Sequence, residues 1–341
     1  MTMNDTQSRL LSMYKDIARI LDAHGIRYYL CYGSAIGAVR HDGFIPWDDD
    51  MDIWVWDEDL PEIKRLLQEE LDSEHYYYHD SRADTHPHVI YRDEDLEDEL
   101  RDKTVPFIDL FPIVAYPEGR FRQALSNMMI WGVHISVTVL DHVGPLWLYR
   151  GMLWIPRMFR KAASALVEDG SDLRTIYTTE FRNEIFHTGC FGKPVAHVFE
   201  DTTCYLAERN DELLTHIFGD YMTPPPEDKR TGAKGFPLSA LKDYILDERA
   251  RDDRCPSMDE EASRRDQSGR RSRRGRDDRR DRDGECSMHG RRPSGGAGPR
   301  RFRSRIRLHL RADDRLREGT RPGGPRHRLR GVDRCDDRRR R

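Results

Sequence analysis

The sequence has no long hydrophobic run, no closely spaced cysteine pair and little excess charge of either sign. Its longest apolar run, Met128 to Leu140, contains His134 and falls short of the roughly 20 residues that a membrane-spanning helix needs. The six cysteines include no CxxC pair, so we expect them to be reduced in a cytosolic compartment rather than bound to zinc. A formal net charge of -4 favours no particular class of partner, and nucleic acid is not an expected one.

The amino-terminal residues MTMNDTQSRL lack the basic start and apolar core of a secretory signal peptide. We therefore expect a cytoplasmic protein. Membrane contact is expected only as peripheral contact at the inner face.

Three residue types disappear towards the end of the chain. No Trp follows Trp154, no Lys follows Lys242 and no Tyr follows Tyr244, while Arg, Asp and Gly dominate. A segment with few apolar residues and no hydrophobic period cannot build a core, so the sequence predicts one folded domain over 1–246 and a disordered tail over 247–341. The tail is either an out-of-frame translation of a GC-rich coding sequence or a genuine Arg-rich segment that binds RNA or anionic lipid.

Hydrophobic periodicity predicts the main elements before the tail. An amphipathic stripe from Leu10 to Leu21 predicts a first helix, and a second helix is predicted from residue 57 or 58 to Leu71. Short strands are expected at Tyr76 to His79 and at Val89 to Arg92. Further predictions are helices between residues 122 and 166, a hairpin over 186–199 and a helix over 202–217. The helices of 122–166 form ordinary core, lie against a membrane surface or enclose a substrate.

Acidic residues are concentrated directly before and within the segment MDIWVW, residues 51–56. The apolar residues of this segment predict a buried strand. Because side chains alternate along a strand, Asp50 and Asp52 share one face, and Asp48 joins them if the extended backbone begins early enough. Two such carboxylates repel each other unless a cation lies between them, and oxygen ligands favour Mg²⁺ or Mn²⁺. The alternative is a solvated acidic turn.

A glycine turn precedes this strand. Residues 27–32 predict a strand, Gly33 and Ser34 a tight turn, and Ala35 to Arg40 the start of a short helix. A turn of this kind presents backbone N–H groups and a helix N-terminus to an anion, with the Ser34 hydroxyl as a further donor. It therefore predicts a phosphate site.

Two later segments add candidate ligands. VPFIDLFPIV predicts an apolar strand whose only charge is Asp109, and a buried lone carboxylate is costly unless it is paired or bound to metal. Its alternative role is to cap a turn after the strand. His86 and His88 alternate on one side, but two histidines without a third ligand are more often surface residues.

The string GSAIGAVRHDGFIPWDDDMDI resembles the LicD family, which includes bacterial phosphocholine transferases and is related to fukutin-type phosphotransferases. The resemblance extends almost without gaps from Leu30 to Val55, FIDLFP resembles a recurring motif of the family, and FGDYMTPPPEDKR resembles its second motif. It implies an α+β nucleotidyltransferase fold, with a mixed twisted sheet flanked by helices. The second motif departs at Phe218, where the family usually has Tyr.

The resemblance also implies an activity: metal-dependent transfer of a phospho-alcohol, chiefly phosphocholine, from a CDP-activated donor to a hydroxyl of a glycan or glycolipid. The acceptor would be a precursor of lipopolysaccharide, teichoic acid or capsule. Asp50 and Asp52 match the metal-binding pair of the family, and Asp109 would be a third ligand of Mg²⁺ or Mn²⁺ or the general base. Asp48 is the other candidate base. The donor phosphates would contact four residues, Gly33, Ser34, Arg40 and Arg92.

Several alternatives stay open. Arg92 can instead pair with Asp93 or Glu94 on the surface. The aromatic side chains nearest the acids are either core or a cation–π box for a choline ammonium: Tyr32, Trp47, Trp54 and Trp56. Asp220 and Arg230 are structural or position the substrate.

The same carboxylates would serve nucleotidyl transfer from a nucleoside triphosphate. A different class of function is non-catalytic binding of nucleic acid or an anionic surface through the tail. A third possibility is that the chain is an inactive product of a frameshift.

Overall fold

A mixed β-sheet brings candidate residues from distant segments side by side. The structure, a computed structural model, describes residues 3–80, 82–93, 96–102, 104–230 and 238–254. The strands of the main sheet are β1 (Tyr28–Leu30), β2 (Met51–Trp56), β3 (Tyr76–His79), β4 (His88–Tyr91), β5 (Phe107–Ala115), β6 (Leu173–Thr175) and β7 (Ile185–His187). A separate pair is formed by β8 (Val195–Phe199) and β9 (Thr202–Leu206).

The strand order of the main sheet is β1-β2-β5-β4-β3, with β6 paired to the end of β5 and β7 paired to β6. β2 and β5 run parallel, and the other pairs are antiparallel. The predicted α+β class, a mixed sheet flanked by helices, is confirmed.

The helices are α1 (Asp5–Ala23), α2 (Tyr32–His41), α3 (Leu60–Glu70), α4 (Leu96–Asp102), α5 (Arg120–His142), α6 (Leu146–Met152), α7 (Trp154–Ser164), α8 (Asn210–Phe218) and α9 (Leu238–Arg254). α1 begins with a reciprocal cap in which Asn4 and Gln7 each bind the other's backbone N–H. None of the helices within the described residues is long and apolar enough to cross a membrane.

The alternation of side chains along β2 divides the core. Met51, Ile53 and Val55 are buried in the main hydrophobic cluster together with the apolar stripes of α1 and α3. Asp52 and Trp54 point to the opposite face. The candidate site therefore lies on the face of the sheet that α1 and α3 leave open.

The prediction of a hairpin over 186–199 and a helix from residue 202 is wrong. The hairpin is formed by β8 and β9, with Phe199 paired to Thr202 across a turn in which Glu200 has a φ of 52°. Along β9 the residues Cys204 and Leu206 are buried whereas Thr203 is exposed, which is the period of a strand. The helix, α8, begins at Asn210.

The predicted domain boundary at residue 246 falls inside α9. Ala240 and Leu241 of this helix are buried against Tyr77 and Ile90, and the helix continues to Arg254. The rest of the predicted tail, 255–341, lies outside the described residues.

Candidate active site

Four ionisable residues form a continuous row across four neighbouring strands. Asp52 of β2 is paired with Asp109 of β5, Asp109 with His88 of β4, and His88 with His79 of β3. Residues paired in this way project on the same face of a sheet. All four are buried, with Asp52 8% and Asp109 9% exposed. We name Asp52, Asp109, His88 and His79 the ionisable row.

Negative charge accumulates at the Asp52 end of the row. Burial, together with repulsion from Asp50, Asp109 and Asp48, raises the pKa of Asp52 well above its usual range. Burial and repulsion from Asp48, Asp109 and Asp49 raise the pKa of Asp50 to about 8, and burial raises the pKa of Asp48 to about 6. Carboxyl groups that resist ionisation in one small volume favour the binding of a cation. The alternative of a solvated acidic turn does not fit this burial.

The helix N-terminus lies directly against the acids. α2 begins at Tyr32, so Gly33 and Ser34 lie in its first turn and the predicted tight turn before the helix is wrong. Tyr32 has a φ of 45°, in the left-handed region that non-glycine residues seldom adopt. Ser34 Oγ accepts a hydrogen bond of 2.9 Å from the Asp52 backbone N–H, which fixes the helix start to the acidic strand.

Gly33 is required by close contact with Asp48. A Cβ at position 33 would lie 2.7 Å from Asp48 Oδ2. We expect Gly33→Ala to displace this carboxylate and lower turnover about tenfold or more, because small displacements of catalytic groups are costly. Folding should be nearly unaffected, since the displaced atom is the end of a side chain and Ala favours a helix by about 0.5–1 kcal/mol over Gly.

The matched control is Gly151→Ala in α6, where an added Cβ has no neighbour within 4 Å among the described residues. Turnover and thermal unfolding of the two purified variants would be measured together. Equal turnover in the two would contradict the role of the Gly33–Asp48 contact.

Two arginines flank the acidic end. Arg40, near the end of α2, donates a 2.8 Å hydrogen bond to the Tyr221 carbonyl oxygen. Burial and the neighbouring charge of Arg230 lower the pKa of Arg40, whereas Asp48 raises it. The Arg230 guanidinium also lies 4.7 Å from the centre of the Trp47 ring. Positive charge is therefore available beside the carboxylates for an anionic ligand.

Arg92 and Asp220 are not brought to the row. Arg92 follows β4 at about 13 Å from His88 along the strand direction, and contacts the Ser73 carbonyl oxygen at 3.3 Å and Glu248 at 3.9 Å. Glu94, one of the two surface partners expected for Arg92, lies outside the described residues. Asp220 accepts a 2.8 Å hydrogen bond from the Thr223 hydroxyl, which is a local structural role.

The aromatic residues near the acids are mainly core. The Trp54 side chain is fully buried, and the Tyr32 ring packs edge-on to it at 5.4 Å. The Trp56 ring already has the guanidiniums of Arg27 and Arg174 over it at 4.9 and 5.9 Å. Trp47 is partly exposed, but its ring is already in contact with the Arg230 guanidinium, so this geometry does not single out Trp47 as a box for a ligand cation.

The prediction that His86 and His88 are surface residues is wrong. Their side chains are 12% and 3% exposed, and Asp109 is the third partner that sequence reasoning did not supply. His86 Nε2 lies 3.4 Å from Asp109, and His88 Nδ1 is hydrogen-bonded to the same carboxylate. These three residues each offer a ligand atom within 4.8 Å of the others, a cluster that fits a divalent metal ion.

At the histidine end of the ionisable row, the charges of His88 and Asp109 offset each other. Burial alone would lower the pKa of His88, but Asp109 and Asp84 outweigh it and raise the pKa to about 9. Burial would raise the pKa of Asp109, but His88 and His86 bring it to about 2. Asp109 is therefore ionised and weakly basic in this arrangement. Of the two predicted bases, Asp48 has the pKa that suits proton abstraction near neutral pH.

A second layer, which sequence reasoning missed, supports the row. The His79 ring stacks on His88 at 5.3 Å, and His79 Nε2 lies 2.9 Å from Asp243 Oδ2 of α9. Asp243 also accepts hydrogen bonds from the Tyr149 hydroxyl at 2.8 Å and the Arg82 backbone N–H at 3.2 Å. A signal was present in the sequence, since a charged residue between the apolar Leu241 and Tyr244 is unusual on the inner face of a helix.

Residues 25–138 match the family model described as LicD/FKTN/FKRP, nucleotidyltransferase domain. This segment is similar to the nucleotidyltransferase domain of the LicD family. It contains β1 to β5 and the whole ionisable row. Asp243 and Arg230 lie outside the matched segment.

Three relatives share parts of the chain. An uncharacterized protein of Rickettsia typhi is 26% identical over 175 residues, 45% of this chain and 52% of its own. Human ribitol 5-phosphate transferase FKRP is 42% identical over 50 residues, 15% of this chain and 10% of its own. The lipopolysaccharide cholinephosphotransferase LicD of Haemophilus influenzae is 38% identical over 55 residues, 16% of this chain and 21% of its own. The chain thus spans about half the length of the first relative and less of the others.

Proposed function

We propose that this LicD-like domain transfers a phospho-alcohol, phosphocholine first among the candidates, from a CDP-activated donor to a hydroxyl of a cell-surface glycan precursor. The acceptor class is a lipopolysaccharide, teichoic acid or capsule precursor. The observation that carries the proposal is the pairing of Asp52 with Asp109 in a buried row beside Asp50 and Asp48. The relatives named as ribitol 5-phosphate and phosphocholine transferases support the same reaction class.

Asp50, Asp52 and Asp109 would hold Mg²⁺ or Mn²⁺. Their oxygen atoms suit these ions, and the raised pKa values of Asp50 and Asp52 indicate a surplus of negative charge that a cation relieves. The bound ion would supply positive charge towards the diphosphate of the donor.

Proton transfer and neutralisation of the donor phosphates would be carried out by Asp48 and the two neighbouring arginines. Asp48 would accept the proton of the acceptor hydroxyl, whose oxygen forms a new bond to the phosphorus of the transferred group. The bond from that phosphorus to the bridging oxygen breaks, and CMP leaves with this oxygen. Arg40 and Arg230 would neutralise the donor phosphates and orient them, as positioned cations do in phosphoryl transfer.

The test is a screen of CDP-choline, CDP-ribitol, CDP-glycerol and nucleoside triphosphates with a crude glycan acceptor in Mg²⁺ or Mn²⁺. Metal-dependent CMP release with one CDP-alcohol is the expected result and identifies the alcohol. Pyrophosphate release from a triphosphate would instead favour nucleotidyl transfer. Salt-sensitive nucleic-acid binding without either release would favour the non-catalytic alternative.

The two arginines predicted as phosphate ligands provide a matched pair of variants. Arg40→Gln should raise the KM for the donor about tenfold or more, because a charge-assisted hydrogen bond contributes roughly 1.5–3 kcal/mol. Arg92→Gln should leave KM close to the wild-type value, because Arg92 contacts Ser73 and Glu248 rather than the row. Steady-state CMP release at varied donor concentration measures both. An equal effect of the two changes would contradict the placement of the donor beside Asp48.

A further inference from the structure

Large apolar side chains are exposed on one layer of helices. Most of the large hydrophobic residues that are exposed in the described part of the chain lie in α5 to α7. Phe121 and Ile135 of α5 are 77% and 61% exposed, Trp147 of α6 is 76% exposed and Trp154 of α7 is 59% exposed. On α5 the exposed apolar residues follow spacings of three, four and seven, so they form a single stripe.

The charge of this layer has one sign. Residues 120–164 contain six basic side chains and one acidic side chain, Asp141, which is already bound to the Ser239 backbone N–H at 2.8 Å. Arg150, Arg157 and Lys161 are exposed on the same helices as the tryptophans. An apolar face rich in Trp and bordered by Arg and Lys is typical of helices that lie in the interface of an anionic membrane.

We propose that the exposed face of α5 to α7 docks this protein on an anionic membrane surface. Trp147 and Trp154 enter the interfacial region, and the exposed basic residues pair with lipid phosphates. A second copy of this chain is a poorer occupant, because a symmetric contact would bring two basic faces together. None of the described helices is long and apolar enough to cross the bilayer. The proposed contact is with the inner face of the membrane.

The layer formed by α5 to α7 also contacts the segment that leads into the candidate site. The Phe159 ring of α7 packs closely against Gly132 of α5. On the inner side of α7, Arg160 donates hydrogen bonds to the carbonyl oxygens of Asp84 at 3.0 Å and Thr85 at 2.7 Å. These residues directly precede His86. Docking would therefore hold the site at a fixed height above the membrane, where a lipid-linked acceptor would lie. Only this last consequence rests on the proposed function.

The experiment uses the full chain and two kinds of vesicle, phosphatidylcholine alone and phosphatidylcholine mixed with phosphatidylglycerol. The expected result is sedimentation with the anionic vesicles only, weakened by salt, together with quenching of Trp fluorescence by brominated lipid. The double change Trp147→Ser and Trp154→Ser should weaken this binding about tenfold or more. The control is Val198→Ser on β8, which replaces a 56% exposed apolar residue away from α5 to α7 and should bind as the wild type does.

Several results would overturn the proposal. Undiminished vesicle binding by the double variant would assign binding to another segment, such as the Arg-rich residues 255–341. Absence of binding by the wild type would exclude a lipid surface. A wild-type dimer that the double variant breaks, measured by light scattering without lipid, would make the face a contact between copies. Thermal unfolding checks that the variants fold. Vesicle binding can succeed while CMP release fails, so the two proposals are separable.

Discussion

Asp50→Asn and Asp52→Asn should each lower metal-dependent CMP release by about a hundredfold or more, while the metal-free protein stays at least as stable as the wild type. Each change keeps the shape of the side chain but removes one negative charge, so affinity for the divalent ion and neutralisation of the donor both fall. The same change relieves repulsion among buried carboxylates, which disfavours the fold. Activity and stability should therefore move in opposite directions.

The pH dependence of stability provides a second measurement on the same variants. The folded-state pKa of Asp50 is raised to about 8, above the unfolded value of about 3.9. Its stabilising contribution is then complete below pH ~4 and is lost as pH rises towards 8. In EDTA, the wild type should lose more stability than Asp50→Asn over this interval. Subtracting the stability of Asp50→Asn from that of the wild type at each pH cancels the effect of titratable groups that both proteins share.

Melting temperatures in EDTA across pH, and CMP release in Mg²⁺ or Mn²⁺, are the required data. A purely structural role for the acids predicts the reverse pattern, with stability lost and activity reduced only in proportion to the folded protein. Near wild-type turnover in either variant would show that the residue is not a metal ligand.

Asp243→Ala should destabilise the protein by about 3–5 kcal/mol, because it removes an acceptor that three donors share. These are His79 Nε2, the Tyr149 hydroxyl and the Arg82 backbone N–H. Asp243→Asn keeps the oxygen that can accept from Tyr149 and should cost less. Since His79 stacks on His88, which is bonded to Asp109, both changes should also disturb the metal ligands.

Asp243 is thus a positioning residue, and a readout beyond stability is needed. The concentration of Mn²⁺ that gives half-maximal CMP release should rise several-fold in Asp243→Asn at a temperature where the variant is fully folded. The matched control is Asp220→Asn, which affects an exposed local hydrogen bond to Thr223. An unchanged Mn²⁺ dependence in folded Asp243→Asn would limit Asp243 to a structural role.

Local patterns in the sequence predicted much of the site. The alternation of MDIWVW placed Asp52 on the face opposite Met51 and Ile53, because strand geometry depends on neighbouring residues. The apolar run around Asp109 likewise predicted a buried strand. The family resemblance, rather than periodicity, implied that this strand lies beside β2.

The remaining features depend on contacts between distant segments. Nothing near His88 in the sequence indicates that Asp109 will face it across the sheet, so the histidine was expected at the surface. The Gly33–Asp48 contact and the link from His79 to Asp243 arise from tertiary packing. The strand β9 was mistaken for a helix because a short apolar segment fits either period, and its hairpin partner decides between them.

The position of Asp243 also has a consequence for synthesis of the protein on the ribosome. β3 lies at the end of the strand order. Asp243, which contacts His79 of this strand, lies 164 residues further along the chain. At about 5–20 residues per second, this interval lasts about 8 to 33 seconds. Throughout it the face of β3 that carries Tyr77 and His79 lacks the residues of α9 that bury it. Transiently exposed apolar surface promotes aggregation, so we expect the nascent protein to depend on chaperones until α9 has been translated.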